Sequence, residues 1–184
     1  MKHMQLLHLY LDSNNVQSQG INSLSSGLKS MKKLKSLKIL LGENQIGEEG
    51  IRTIATGFEH LRELQELSLF LGWNCIQNQG IKELADGLKN LRKLQSLDLN
   101  FYQNDMEDEA AVELSTALLH LTGLSQLQLM LNYNKLSTEG VTALAGSIKQ
   151  LKKLKKLTLG VLNNLITDEG ALEIEKAIIL QVLL

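Results

Sequence analysis

The sequence predicts a right-handed α/β solenoid of six 30-residue repeats, with a concave parallel sheet and helices on the convex side. Three observations predict it. Asparagine recurs at Asn14, Asn44, Asn74, Asn104, Asn134 and Asn164, with no slippage. Glycine follows six residues later at Gly20, Gly50, Gly80, Gly140 and Gly170, and Ala110 takes the remaining place. Within each unit the apolar spacing changes from strand-like to helical. Self-similarity at a fixed period of this length marks a stacked array.

The third copy shows how a unit is built. Leu67, Leu69 and Leu71 alternate, as in a strand with one buried face. Ile81, Leu84, Leu88 and Leu91 follow the stripe of an amphipathic helix. The unit therefore reads strand, asparagine turn, helix, return loop. Neither half buries its apolar face alone, so the six units form one cooperative domain over residues 1–184. Phase holds throughout: the column of Leu71 recurs as Leu11, Leu41, Phe101, Leu131 and Val161. Where each strand ends, the turn leaves backbone groups without ladder partners. An inward asparagine amide offers both donors and an acceptor to satisfy them. The glycine column falls in the first helical turn, where a Cβ would push neighbouring units apart.

The run Leu64, Leu67, Leu69, then Asn74 and Ile76, then Gly80 and a helix resembles leucine-rich repeats. A full helix in every unit makes the chain most similar to the ribonuclease-inhibitor-like class. The resemblance covers the whole chain and implies a binding scaffold without catalytic machinery of its own. One departure stands out. Leu71 intervenes before the asparagine, so each unit carries two extra residues and exceeds the usual length of about 20–29. The extra residues predict a longer strand, or a bulge at its C-terminal end.

Composition narrows the function. A net charge of −1 argues against wholesale attraction to nucleic acid or membrane. The most apolar stretch, Ala177 to Leu184, is too short to span a membrane and is interrupted by Gln181. A single cysteine, Cys75, excludes an internal disulfide framework, and the ends lack cysteine caps. These features point to an intracellular, cytoplasmic setting. No catalytic constellation, cofactor motif or metal-ligand spacing is visible, so a non-enzyme is expected. His60 and His120 share a helix-end column two units apart, beyond joint coordination of one metal. Glu48–Glu49, Asp108–Glu109 and Asp168–Glu169 fall in first helical turns, where the macrodipole favours acids.

Two surfaces carry the functional expectations. The residues between the core leucines face out along the inner curve. Their columns and the neighbouring rim gather Tyr10, Leu40, Phe70, Trp73, Tyr102, Met130 and Tyr133. Aromatic and methionine side chains in one exposed patch are what protein interfaces use as anchors. A protein partner on the concave face is therefore the leading expectation. The second surface is an edge where fourteen of the nineteen basic residues gather, from Lys29 and Lys32 to Lys155 and Lys156. It predicts anion or RNA binding, weakened by sparse bases in the second and fourth units (Glu59, Glu63, Leu119, Thr122, Gly123) and by the lack of interleaved aromatics. The ends carry a third expectation. Repeat phase starts near Met4, and Leu184 occupies a strand-onset column, without polar caps. That predicts a piece of a longer array, end-to-end self-association, or the docking or sensing segment of a larger signalling enzyme.

Overall fold

The structure, a computed structural model, describes residues 3–182. Leu184 and the side chain of Gln181, both used above to read the last unit, lie outside the described residues. Strands β1 (Leu6–Tyr10), β2 (Ser36–Leu40), β3 (Glu66–Phe70), β4 (Ser96–Asn100), β5 (Gln126–Met130) and β6 (Lys156–Gly160) alternate with six helices. These are α1 (Ser18–Lys29), α2 (Gly47–Phe58), α3 (Gln77–Leu88), α4 (Asp108–Leu118), α5 (Thr138–Ile148) and α6 (Asp168–Val182). The strands form one parallel sheet in sequence order. Every pairing joins residues 30 apart, as in Leu37↔Leu67 and Leu67↔Leu97. Strand and helix phase therefore follow the sequence columns without a slip.

The core runs the length of the solenoid. Leu67, Leu69 and Leu71 face Ile81, Leu84 and Leu88 of the same unit, and all are buried. Each such side chain contributes roughly 1.5–3 kcal/mol by leaving water. The glycine columns let the units approach. A Cβ on Gly80 would stand 2.6 Å from Ile76 Cγ2 and 3.2 Å from the Cα of Glu48 in the preceding unit. On Gly87 it would stand 3.0 Å from the backbone oxygen of Ala55.

The asparagines bind one unit to the next. The amide nitrogen of Asn74 donates to the carbonyls of Leu41, Leu71 and Gly72 at 2.8–3.0 Å. Its Oδ1 accepts the backbone N–H groups of Asn44 and Ile46 at 3.1 and 3.2 Å. Asn44, Asn104 and Asn134 repeat the pattern. Each side chain thus satisfies backbone groups of its own turn and of the unit before it.

A second ladder was hidden in the acidic helix starts. Asp108 Oδ1 accepts the backbone N–H groups of Ser137 and Gly140, capping the start of α5 in the next unit. In the same column, Asn78 accepts from Glu107 N–H and Thr138 from Thr167 N–H. Asp108 therefore acts as a cap across the repeat boundary as well as a partner for the helix dipole.

The two extra residues neither lengthen the strand nor bulge it. Each strand stops at the column of Phe70, and the chain turns through left-handed backbone at Ser13, Glu43, Trp73, Gln103, Tyr133 and Asn163, with φ between 50° and 58°. Side chains of this kind seldom adopt such angles. Hydrogen bonds hold them there: Glu43 N–H donates to the Gly72 carbonyl, and Trp73 N–H to that of Tyr102, both at 2.9 Å. The extra residues build a rim beyond the strand ends.

The asparagine ladder makes a graded prediction. Asn74→Ala strands several buried backbone groups and should cost about 3 kcal/mol or more in urea unfolding. Asn14 is exposed and donates only to Leu11 and Asp12 carbonyls, so Asn14→Ala should cost about 1 kcal/mol or less. Equal costs at the two sites would contradict the ladder.

Candidate functional site

The expected anchors fall into two groups. Tyr10, Leu40 and Phe70 are consecutive partners across β1, β2 and β3, on the concave face. Tyr10 is 63% exposed. Leu40 and Phe70 are half-buried. Asn100 interrupts the column before Met130, and its Oδ1 turns to accept the N–H of Tyr102 at 3.0 Å. Met130 lies across Gly160, where a Cβ would stand 2.8 Å from its Cε.

Trp73, Tyr102 and Tyr133 do not lie on the strand face. They stand on the rim, where left-handed backbone at Trp73 and Tyr133 directs side chains differently from the strand alternation. There they form one stack. Ring centroids are 4.3 Å apart for Trp73–Tyr102 and 4.7 Å for Tyr102–Tyr133, tilted by 38° and 36°. Such pairs contribute about 0.5–1.5 kcal/mol each beyond their burial. The indole N–H of Trp73 donates to Gln103 Oε1 at 3.0 Å. Trp73 and Tyr133 nevertheless stay 45% exposed. The result is a row of pre-ordered aromatic rings across units three to five.

Two charged residues belong to the outward-facing strand column of His8, Ser68, Gln128 and Thr158 on the concave face. One, Lys38, also continues the basic run Lys32, Lys33 and Lys35. It lies in β2, and its Nζ sits 5.7 Å from the Tyr10 ring centre and 5.5 Å from that of Phe70. A cation there binds two ring faces at once. Its alternation with Leu37 and Ile39 was the available signal. Lys156 likewise begins β6 rather than lying on the edge.

Asp98, in the middle of β4, is the other. Its Oδ2 accepts a 3.3 Å hydrogen bond from Ser68, while Oδ1 is buried without a hydrogen-bond partner among the described residues. Burial raises its pKa above the ordinary carboxylate value. The Ser68 hydrogen bond, the nearby Gln128 amide and the charges of Lys38 and Lys156 pull the other way. Ser68, Asp98, Gln128, Lys156 and Thr158 share a shallow cavity of about 130 Å³ on the inner face.

His120 Nδ1 stands 2.9 Å from the carbonyl oxygen of Thr116, one helical turn earlier. Cys75 is an exposed free thiol. Among the described residues no group of three or more His, Cys, Asp or Glu could hold a metal ion. No described helix is long and apolar enough to cross a membrane.

Comparison with known proteins agrees with this architecture. A family model described as Leucine Rich repeat matches residues 60–85. The chain is similar in structure to the tropomodulin C-terminal domain of Caenorhabditis elegans, at 13% identity and a TM-score of 0.57, covering 88% of this chain and 93% of that one. At this identity the likeness is one of fold. An internalin (InlF) from Listeria monocytogenes str. 4b F2365 matches at 16% identity over 91% of this chain and 71% of that one, with a TM-score of 0.22. That superposition is too loose to carry an argument. No curated protein matches the sequence.

Two measurements check the site. Trp73 is the only tryptophan, so its emission reports on the stack. Tyr102→Ala removes the middle ring and should shift that emission to longer wavelength, whereas an unchanged spectrum would mean that no stack forms in solution. The second concerns Asp98. The folded chain holds this proton more tightly than the unfolded chain, so ionisation at neutral pH costs stability. That cost fades as pH falls through the folded value. Asp98→Asn should therefore raise Tm at pH 7, with a gain that shrinks in acid. A lower Tm at pH 7 would contradict the assignment.

Proposed function

We infer that this chain, a leucine-rich repeat protein, is a non-enzymatic protein-interaction module whose partner docks across the concave face and its aromatic rim. The observation that carries this reading is the stacked row Trp73–Tyr102–Tyr133, whose outer rings stay substantially exposed. Aromatic side chains that are already ordered lose little entropy on binding, which is why they serve as anchors. Tyr10, Leu40, Phe70 and Met130 extend the contact along the strands. Around them, the column of His8, Lys38, Ser68, Asp98, Gln128 and Thr158 varies in charge from unit to unit. A constant core beside a variable surface column gives a solenoid its specificity. The setting of this module in the cytoplasm is part of the same proposal.

Binding tests it. Phe70→Ala or Trp73→Ala should weaken partner affinity by ~2 kcal/mol or more at unchanged Tm. Capture from the source cell's lysate would compare the parent chain with the double variant. A protein held by the parent and lost by the variant supports the reading, and undiminished capture by the variant overturns it.

A second reading is favoured by the sixth unit. Ile178 is 45% exposed, whereas its counterpart Ile148 is 1% exposed, and Leu157 and Leu159 are only partly buried. An apolar partner element seated on this side would make the chain the docking or sensing segment of a larger signalling enzyme. A partner retained by the Phe70/Trp73 variant but lost with Ile178→Lys would select this second reading.

A further inference from the structure

We propose that the edge opposite the aromatic rim holds a binding site for a compact polyphosphate, formed by Arg92, Lys93, Lys152, Lys153 and Lys155 around Gly123.

These five cations line one cavity of about 650 Å³, and no carboxylate lines it. The site arises from a gap in the basic columns. The return loop of the third unit carries Arg92 and Lys93, and that of the fifth carries Lys152, Lys153 and Lys155. Between them the fourth unit supplies Gly123 and Ser125. From the sequence, this lack of bases counted against an anion site. In the structure it is the floor between two cationic walls. The walls are two repeats apart, roughly 10 Å at the spacing of adjacent strands. A ligand with two or more phosphates can engage both walls at once.

The floor depends on glycine. A Cβ on Gly123 would come 3.0 Å from the carbonyl oxygen of Leu94. Lys93 pairs with Glu63 at 2.7 Å, and Lys152 Nζ donates to the Lys149 carbonyl at 3.1 Å. Among the described residues, Arg92, Lys153 and Lys155 have no ion pair within 4.0 Å. A polyanion seated between them would supply the missing counter-charge.

Cations beside helix C-termini are ordinarily explained by the helix dipole. A neighbouring cavity on the same edge shows that this does not account for the cluster. It is lined by Lys32, His60 and Arg62 but also by Glu59 and Glu63, so its charge is nearly balanced. The same helix ends therefore accommodate a neutral cavity, and the chain as a whole carries only −1. The concentration of positive charge around Gly123 is local.

Titration calorimetry with inositol hexakisphosphate as the probe, at about 0.15 M salt, tests the site. The expected result is saturable binding of one probe per chain. Lys153→Glu combined with Lys155→Glu should weaken it at least about tenfold, and affinity should fall steeply with salt. Lys32→Glu with Lys33→Glu, on the balanced cavity's side, should leave it nearly unchanged. No saturable binding, or equal losses in the two double variants, would overturn the proposal. Vesicles containing a bisphosphorylated inositol lipid then separate the sources. Recovery competed by the soluble probe assigns the ligand to a lipid headgroup, and soluble binding alone assigns it to a free polyphosphate.

Discussion

The asparagine amide at the strand end is the interaction on which the remainder of the structure depends. A parallel solenoid must turn its chain at every strand end, and the turn removes backbone groups from the ladder inside a dry core. Leaving even one of them unpaired costs about 1–3 kcal/mol. Asn74 alone takes three carbonyls and two N–H groups. Because those groups belong to two units, the same bonds that allow the turn also fix the stacking distance. Local structure and tertiary packing are here one set of hydrogen bonds.

The rim follows from that constraint. With Asn74 and Ile76 held inward, the residue before the asparagine must pass through left-handed backbone, and it does so in every unit. This conformation costs roughly 1–2 kcal/mol for a side chain such as tryptophan. The inter-unit bonds at the rim offset it. The consequence is functional: Trp73, Tyr102 and Tyr133 come into a stack that strand geometry alone would not produce. Position and exposure of these rings therefore trace back to a buried polar residue that no partner can touch.

The sequence was most readable where one residue type answers one periodic need. Leucine at alternating positions, glycine at the helix start and asparagine at the turn each have a single role, and their columns placed every strand and helix. It was least readable where the deciding contact lies a whole repeat away. Asp108 reads locally as an acid at the start of its own helix, yet it caps the helix 29 residues on. Trp73 and Tyr133 are poor candidates for left-handed backbone by residue type, so the rim turn carries no local signature. Gly123 reads as an absence of charge until the walls on either side of it are seen in space. Lys38 was legible as a concave-face residue through its alternation with Leu37 and Ile39, although it also continues the basic run Lys32, Lys33 and Lys35.

Residue-resolved amide hydrogen exchange tests the central claim most directly. The amides of Asn44, Ile46, Asn74, Ile76, Asn104 and Met106 lie in turns outside the strands, and each donates to an asparagine Oδ1 of the next unit. If the ladder holds the array together, they will exchange only with global unfolding, as slowly as Leu67 and Leu69 in β3. Fast, loop-like exchange at these six amides while the strands stay protected would show that the turns open on their own, and that the asparagines are not what joins the units.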